Sequence, residues 1–194
     1  MQNVQIRIRA PGHEAATPEA FEVVEAPRPT IRSGQFLCRA RWLSVESRAR
    51  PLPGALLAAR GVAEVIESRH DVFAVGECVE LEHGMQLLQV SDGSRAHHLR
   101  PGQNPPSTAL GPLGNPGLTA YFGLLEAARL QPNETVLVSG AAGGVGSMIG
   151  QIAMLKGARA IGIASSRETH EWVTRVARFT GCVDHLYGDR KSVV

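Results

Sequence analysis

The chain has 194 residues, 43% of them hydrophobic, enough to bury a core in one large domain or two small ones. Twenty Lys and Arg against eighteen Asp and Glu leave a net charge of +2, and no basic block is long enough to form a nucleic-acid footprint. Three cysteines, Cys38, Cys78 and Cys182, form no C-x-x-C pair, so neither a disulfide framework nor a structural zinc site is indicated.

A reducing cytoplasm fits this cysteine usage. The N-terminus has no charged-then-apolar leader and no apolar run reaches bilayer length, so a soluble, unexported chain without a membrane partner is expected.

From residue 1 to about 103 the pattern is one of short strands separated by Pro and Gly. Strands are predicted over 4–8, 21–24, 35–43, 62–67, 77–81 and 87–90, with turns at Gly34, Gly76, Gly84 and the SDG at 91–93. Several brief strands with regular turn signals argue for a small barrel-like β domain. The Pro-rich stretch 101–106 reads as a connector. After it, 108–113 is predicted as one helical turn and 118–130 as a helix with Leu118, Tyr121, Phe122 and Leu125 on its apolar face. Further on, 168–179 is predicted as a helix stopped by Gly181, and 183–187 as a strand. The seven histidines show no ligand spacing and read as surface side chains.

The most informative stretch is 135–156, TVLVSGAAGGVGSMIGQIAMLK. An apolar run, a glycine-rich bend and apolar residues at helical spacing (Val145, Ile149, Ile152, Ala153) spell a strand, a turn and a helix start. Without a Cβ at Gly143 the backbone can approach a pyrophosphate, and Gly146 lets the helix pack close to the strand. Free N–H groups at the helix N-terminus then face the phosphates. A second apolar run at 160–164 follows Gly157, as a right-handed βαβ unit requires. The pattern is A-x-G-x-x-G on Ala141, Gly143 and Gly146, so the first glycine of the usual fingerprint is missing while Gly140 stands one place earlier. The alternative is a tight strand-to-helix turn in some other α/β protein; the flanking strand and helix favour dinucleotide binding.

An all-β front half, the run LGPLGNPGLTAYFGLL at 110–125 and ETVLVSGAAGGVGS at 134–147 occur in that order. Joined by APRPT at 26–30, WLS at 42–44, GVAEVIES at 61–68, VSDG at 90–93 and GQIA at 150–153, they resemble the medium-chain dehydrogenase/reductase superfamily. The likeness is to the zinc-independent branch that holds prostaglandin reductases and alkenal double-bond reductases. It implies an α/β fold: a GroES-like β-barrel domain over 1–107, followed over 108–188 by the first half of a Rossmann doubly wound parallel sheet. It also implies NADPH as cofactor and no metal. The reaction implied is reduction of the C=C bond of an α,β-unsaturated ketone or aldehyde, with hydride passing to the β-carbon and the enolate oxygen held by hydrogen bonds until the α-carbon is protonated. The partner is thus a small enone or enal, and a homodimer is among the assemblies the family allows.

Carried over position by position, Gly143, Gly144, Val145 and Gly146 would hold the pyrophosphate. Asn115, Gly117 and Thr119 would line the nicotinamide side, and Tyr187 would sit near the adenosine ribose phosphate. The branch's NADPH-reading lysine is matched by Thr169; Arg167, two residues away, could pair with the 2′-phosphate or be a solvated loop arginine. NADP over NAD rests more on the absence of an acidic residue at the end of that strand. The zinc relatives' catalytic cysteine position falls near Ser44. The branch's active-site tyrosine is matched by Arg48, the turn before its G-V-G-E by LLAAR at 56–60, and its aromatic pair before V-S-D-G by Met85 and Leu88. Three changes in one pocket argue for an altered substrate site, and no residue is assigned a catalytic role.

Family members are nearly twice this length. The expectation is a parent enzyme of which this chain is the N-terminal part, with little turnover alone and with 189–194 a non-native tail. The competing expectation is a non-catalytic dinucleotide-binding or interaction module that pairs through an open sheet edge left by the strand at 135–139.

Overall fold

The computed structural model describes residues 1–9, 17–45, 52–100, 102 and 105–184. The chain divides into two compact units, Met1–Leu110 and Gly111–Val194. The first is antiparallel and the second parallel, which is the α/β class expected.

The first unit contains β1 (Asn3–Ile8), β2 (Phe21–Ala26), β3 (Phe36–Leu43), β4 (Arg60–Ser68), β5 (Cys78–Glu82), β6 (Leu88–Ser91) and β7 (Ala96–His98). β1 and β2 form a ribbon, and the other five make one sheet in the order β6-β3-β4-β5-β7. β3 opens with Phe36, Leu37 and Cys38 all fully buried, so alternation fails there because both faces are covered. One face packs Phe36, Cys38, Ala63, Val65, Phe73, Val79 and Leu81; the other packs Ile31, Leu37 and Leu88. The ribbon is tied to the segment leading into β6 by Ile6 N donating to the Met85 carbonyl (2.8 Å) and Leu87 N donating to that of Val4 (2.9 Å). β7 has no sequence signature. It is three residues long, is held by pairing with β5, and carries His98 stacked on Phe73 at 4.4 Å.

In the second unit, β8 (Thr135–Val138), β9 (Arg159–Ala164) and β10 (Gly181–Asp184) run parallel in the order β10-β9-β8. The helix α2 (Gly144–Leu155) links the first two, and α3 (Arg167–Glu171), continued by a wider turn at Trp172–Val176, links the last two. Gly157, at φ +78°, ends α2 in the left-handed region. The face of α2 that is buried is its small one, Gly146, Ser147, Gly150 and Ala153, whereas Val145 is exposed. The reason is Phe179: a Cβ on Gly150 would lie 1.9 Å from its ring, so the helix has given up volume to seat an aromatic side chain.

The segment read as a helix over 118–130 is instead α1 (Asn115–Tyr121) followed by a wider helical turn, Phe122–Ala127. Gly117, Ala120 and Leu124 form its buried face, while Leu118, Tyr121 and Phe122 are about half exposed. Of the four large apolar residues expected on the buried face, Leu125 packs against the core and the other three do not; at Gly117 the Pro112 backbone leaves no room for a side chain, since a Cβ would fall 1.9 Å from its oxygen. Among the described residues β8 pairs on one side only, and Leu137 is 64% exposed. No described helix is long and apolar enough to cross a membrane.

Candidate functional site

The site is built from the carboxyl end of β8. The chain leaves the strand at Ser139 and turns at Gly140 with φ +59°, a conformation that a side chain would resist. Gly143 N then donates to the Gly140 carbonyl at 2.8 Å, closing the bend. Gly143 is the N-cap of α2 with extended backbone and offers no side chain to its first turn. The opening N–H groups of a helix have no acceptor within it, so those of Gly144, Val145 and Gly146 form a donor cluster at the positive end of the helix dipole.

Each glycine of the bend has a separate reason. A Cβ on Gly146 would meet the Gly140 oxygen at 2.3 Å and the Ala141 Cα at 3.0 Å, so only glycine lets α2 start this close to its own strand. Gly143 and Gly144 are exposed, and a Cβ on Gly143 would come no closer than 3.1 Å to the Gly140 oxygen. Space on their outer side is left open to a ligand. Ala141, standing where the fingerprint's first glycine is missing, is fully buried, and its Cβ would lie 2.9 Å from a Cβ on Gly162.

Pro116 of α1 lies 3.5 Å from where a Cβ on Gly144 would stand, so α1 and the start of α2 flank the same bend. Asn115 and Thr119 are exposed and lie four residues apart, on one helix face. Gly117 is buried for a backbone reason: a Cβ there would fall 1.9 Å from the Pro112 oxygen.

At the carboxyl end of β9 the chain reads Ser165-Ser166, with no acidic residue. Ser166 caps α3: its hydroxyl accepts from Thr169 N at 3.2 Å, and its own N–H donates to the Thr169 hydroxyl at 3.1 Å. Thr169 is thereby committed to the cap. The sequence signal for this, S-x-x-T ahead of a helix, went unread. Arg167 is 91% exposed and pairs with Glu171 at 3.1 Å. Because β8 and β9 are parallel, the glycine bend and Arg167 emerge on the same sheet edge, where ligands of such sheets bind. Tyr187 and the 189–194 tail lie outside the described residues.

In the first unit, the Ser44 hydroxyl lies 3.3 Å from the Arg60 carbonyl and 3.2 Å from its N–H, so it closes the end of the β3–β4 ladder. Leu88 is core, and Met85 is half-buried. Arg48 lies outside the described residues. Cys38 is buried, and desolvation pushes its thiol up to about 12, far from a reactive thiolate. Among the described residues no group of three or more His, Cys, Asp or Glu is placed to hold a metal.

Comparison with known proteins agrees with this architecture. A family described as the N-terminal domain of oxidoreductase matches residues 5–99. Prostaglandin reductase 1 of Bos taurus is 38% identical over 163 residues, covering 80% of this chain and 50% of that protein. The NADPH-dependent curcumin reductase of Escherichia coli is 35% identical over 189 residues, covering 91% of this chain and 55% of the other. The crystal structure of CurA from Vibrio vulnificus in complex with NADPH superposes with a TM-score of 0.84 at 35% identity, over 94% of this chain and 58% of that one. The chain thus spans about half the length of the curated relatives it matches. With a β unit followed by a glycine bend on a parallel sheet, and with these relatives, the chain belongs to the medium-chain dehydrogenase/reductase superfamily, in its zinc-independent prostaglandin reductase branch.

Proposed function

We propose that this chain is part of an NADPH-dependent oxidoreductase that reduces the C=C bond of α,β-unsaturated ketones or aldehydes. In this reading residues 1–107 are the substrate domain and 108–188 the first half of the cofactor domain. The observation that carries the proposal is the Gly140–Gly146 bend with its uncapped helix start. The fit is steric as well as electrostatic, since Gly143 and Gly144 are exposed and carry no side chain to stand between the backbone N–H groups and a phosphate. When bound, NADPH would supply the hydride.

The residues of this chain would bind and orient it. The N–H groups of Gly144, Val145 and Gly146 would hold the pyrophosphate. Asn115 and Thr119 would offer side-chain hydrogen bonds on the nicotinamide side, with Gly117 fixing the backbone of α1 between them. Ser165 and Ser166 leave the end of β9 without the carboxylate that would repel a 2′-phosphate, and Arg167 would turn from Glu171 to meet it. The relatives' printed names, prostaglandin reductase and curcumin reductase, support an enone-type substrate.

Calorimetric titration tests this reading. NADPH is expected to bind more tightly than NADH. In Arg167→Ala the affinity for NADPH should fall roughly tenfold, about 1–2 kcal/mol for an exposed charge-assisted contact, while that for NADH stays unchanged. Equal binding of the two coenzymes by the unmodified chain would remove the NADPH preference.

A second reading is a non-catalytic module that pairs through β8, favoured by the outer edge of that strand, unpaired among the described residues, and by the exposure of Leu137. Size-exclusion of the chain with and without NADPH separates the two. A defined oligomer, with no response to coenzyme and no reductase activity, supports pairing.

A further inference from the structure

Continuing the row of buried side chains Val79 and Leu81, just past the end of β5, is a histidine that the coenzyme reading does not use. His83 is 1% exposed. Its N–H donates to the Ala59 carbonyl at 2.9 Å, and its Nδ1 lies 3.1 Å from the carbonyl oxygen of Gly84. A carbonyl accepts only, so Nδ1 carries the proton and Nε2 is the bare nitrogen. Nε2 is buried and, among the described residues, has no hydrogen-bond partner. The ring has its place because β4 has a glycine opposite: a Cβ on Gly61 would lie 2.7 Å from the His83 Cβ.

Among the described residues, nothing packed on His83 offers it a counter-charge. β4 presents Gly61, β3 presents Leu43, and the segment before β4 brings the Leu56 side chain against Gly84. The neighbouring carboxylates, Glu80 and Glu82, fall on the opposite face by strand alternation and are engaged there by Arg60 and Arg95. Beyond His83 runs the segment that docks β1. Met85 N donates to the Leu57 carbonyl (2.7 Å), the Met85 carbonyl accepts from Ile6 N, and Leu87 N donates to Val4.

We propose that His83 is an acid-sensitive latch of the first unit: protonation at Nε2 creates a buried charge and an N–H without an acceptor, and the Gly84–Leu88 segment with its grip on β1 is released. Burial already holds the imidazole below its ordinary value of 6.5, the direction the geometry requires. The unfolded chain then binds a proton more readily than the folded one. Stability is therefore full above about pH 6.5 and falls as pH drops toward the folded-state value, by up to about tenfold in the opening constant per pH unit.

Amide hydrogen exchange on the whole chain, corrected for intrinsic rates, reads this at Ile6, Met85 and Leu87. Between pH 7.5 and 5.5 their protection should fall severalfold and up to about tenfold more in the unmodified protein than in His83→Asn, whose amide can still donate to Gly84 but cannot gain a proton. Imidazole 15N shifts of the unmodified protein give a second, independent readout should the variant not fold. They should report the Nδ1–H neutral form down to the pH at which protection is lost. Equal pH dependence in the two proteins, or His83 protonated near pH 6.5 with those amides still protected, would overturn the proposal.

Discussion

Gly146→Val is expected to reduce NADPH affinity at least 100-fold, about 2.7 kcal/mol or more, and to lower the stability of the second unit at the same time. The cause is backbone against backbone. The new Cβ meets the Gly140 oxygen at 2.3 Å and the carbon of that carbonyl at 2.9 Å, and neither can swing away as a side chain tip could. Relief requires α2 to back off from β8, which carries the N–H groups of its first turn out of register with the bend. Gly143→Ala makes the informative contrast. Its Cβ would sit 3.1 Å from the same oxygen, a tight contact that the exposed bend absorbs, so the unit should stay folded. If the outer side of Gly143 is where a phosphate approaches, affinity should still fall. Unfolding curves run beside calorimetric titrations separate the two effects.

Phe179→Ala should cost about 3–5 kcal/mol and unfold a large part of the second unit at temperatures the unmodified protein tolerates. Phe179 is 5% exposed and fills the space that Gly150 and Gly162 leave bare, against Val173 and Ala141. With the ring gone, the glycine face of α2 borders a void. Coenzyme binds only the folded unit, so its apparent affinity falls with the folded fraction, and saturating NADPH should recover part of the lost melting temperature. A melting temperature within 2 °C of the unmodified protein's would show that α2 is seated by other contacts.

Much of this fold was readable in the sequence, and the failures share a physical origin. The glycine bend was legible because its residues answer local demands: a positive φ at Gly140, a forbidden Cβ at Gly146, and a helix stop at Gly157. The β strands showed themselves through turn residues between short apolar runs, and all but β7 stood out, since Ala96-His97-His98 has no alternation to read. The buried face of α1 differs from the expected one because hydrophobic spacing finds large side chains, whereas Gly117 is buried against the Pro112 backbone and Ala120 beside it is small. The physical reason for Gly150, a Phe179 ring 1.9 Å from where its Cβ would stand, is a matter of packing that no local pattern carries. Among candidate site residues, Gly143–Gly146 form one bend with Pro116 of α1 beside it, and Asn115 and Thr119 belong to that same helix. Arg167 stands at the same sheet edge, bound for now to Glu171. His83 could not have been found in the sequence: a histidine's burial and an orphaned nitrogen are properties of packing alone.

The account stands on the claim that the bend opening at Gly140 grips a nucleotide diphosphate. Amide NMR of the folded chain titrated with NADPH tests it most directly. The N–H signals of Gly144, Val145 and Gly146 should show the largest downfield shifts in the protein, saturating together with those of Asn115 and Thr119. Shifts confined to other residues, or none at millimolar coenzyme on a folded sample, would contradict it.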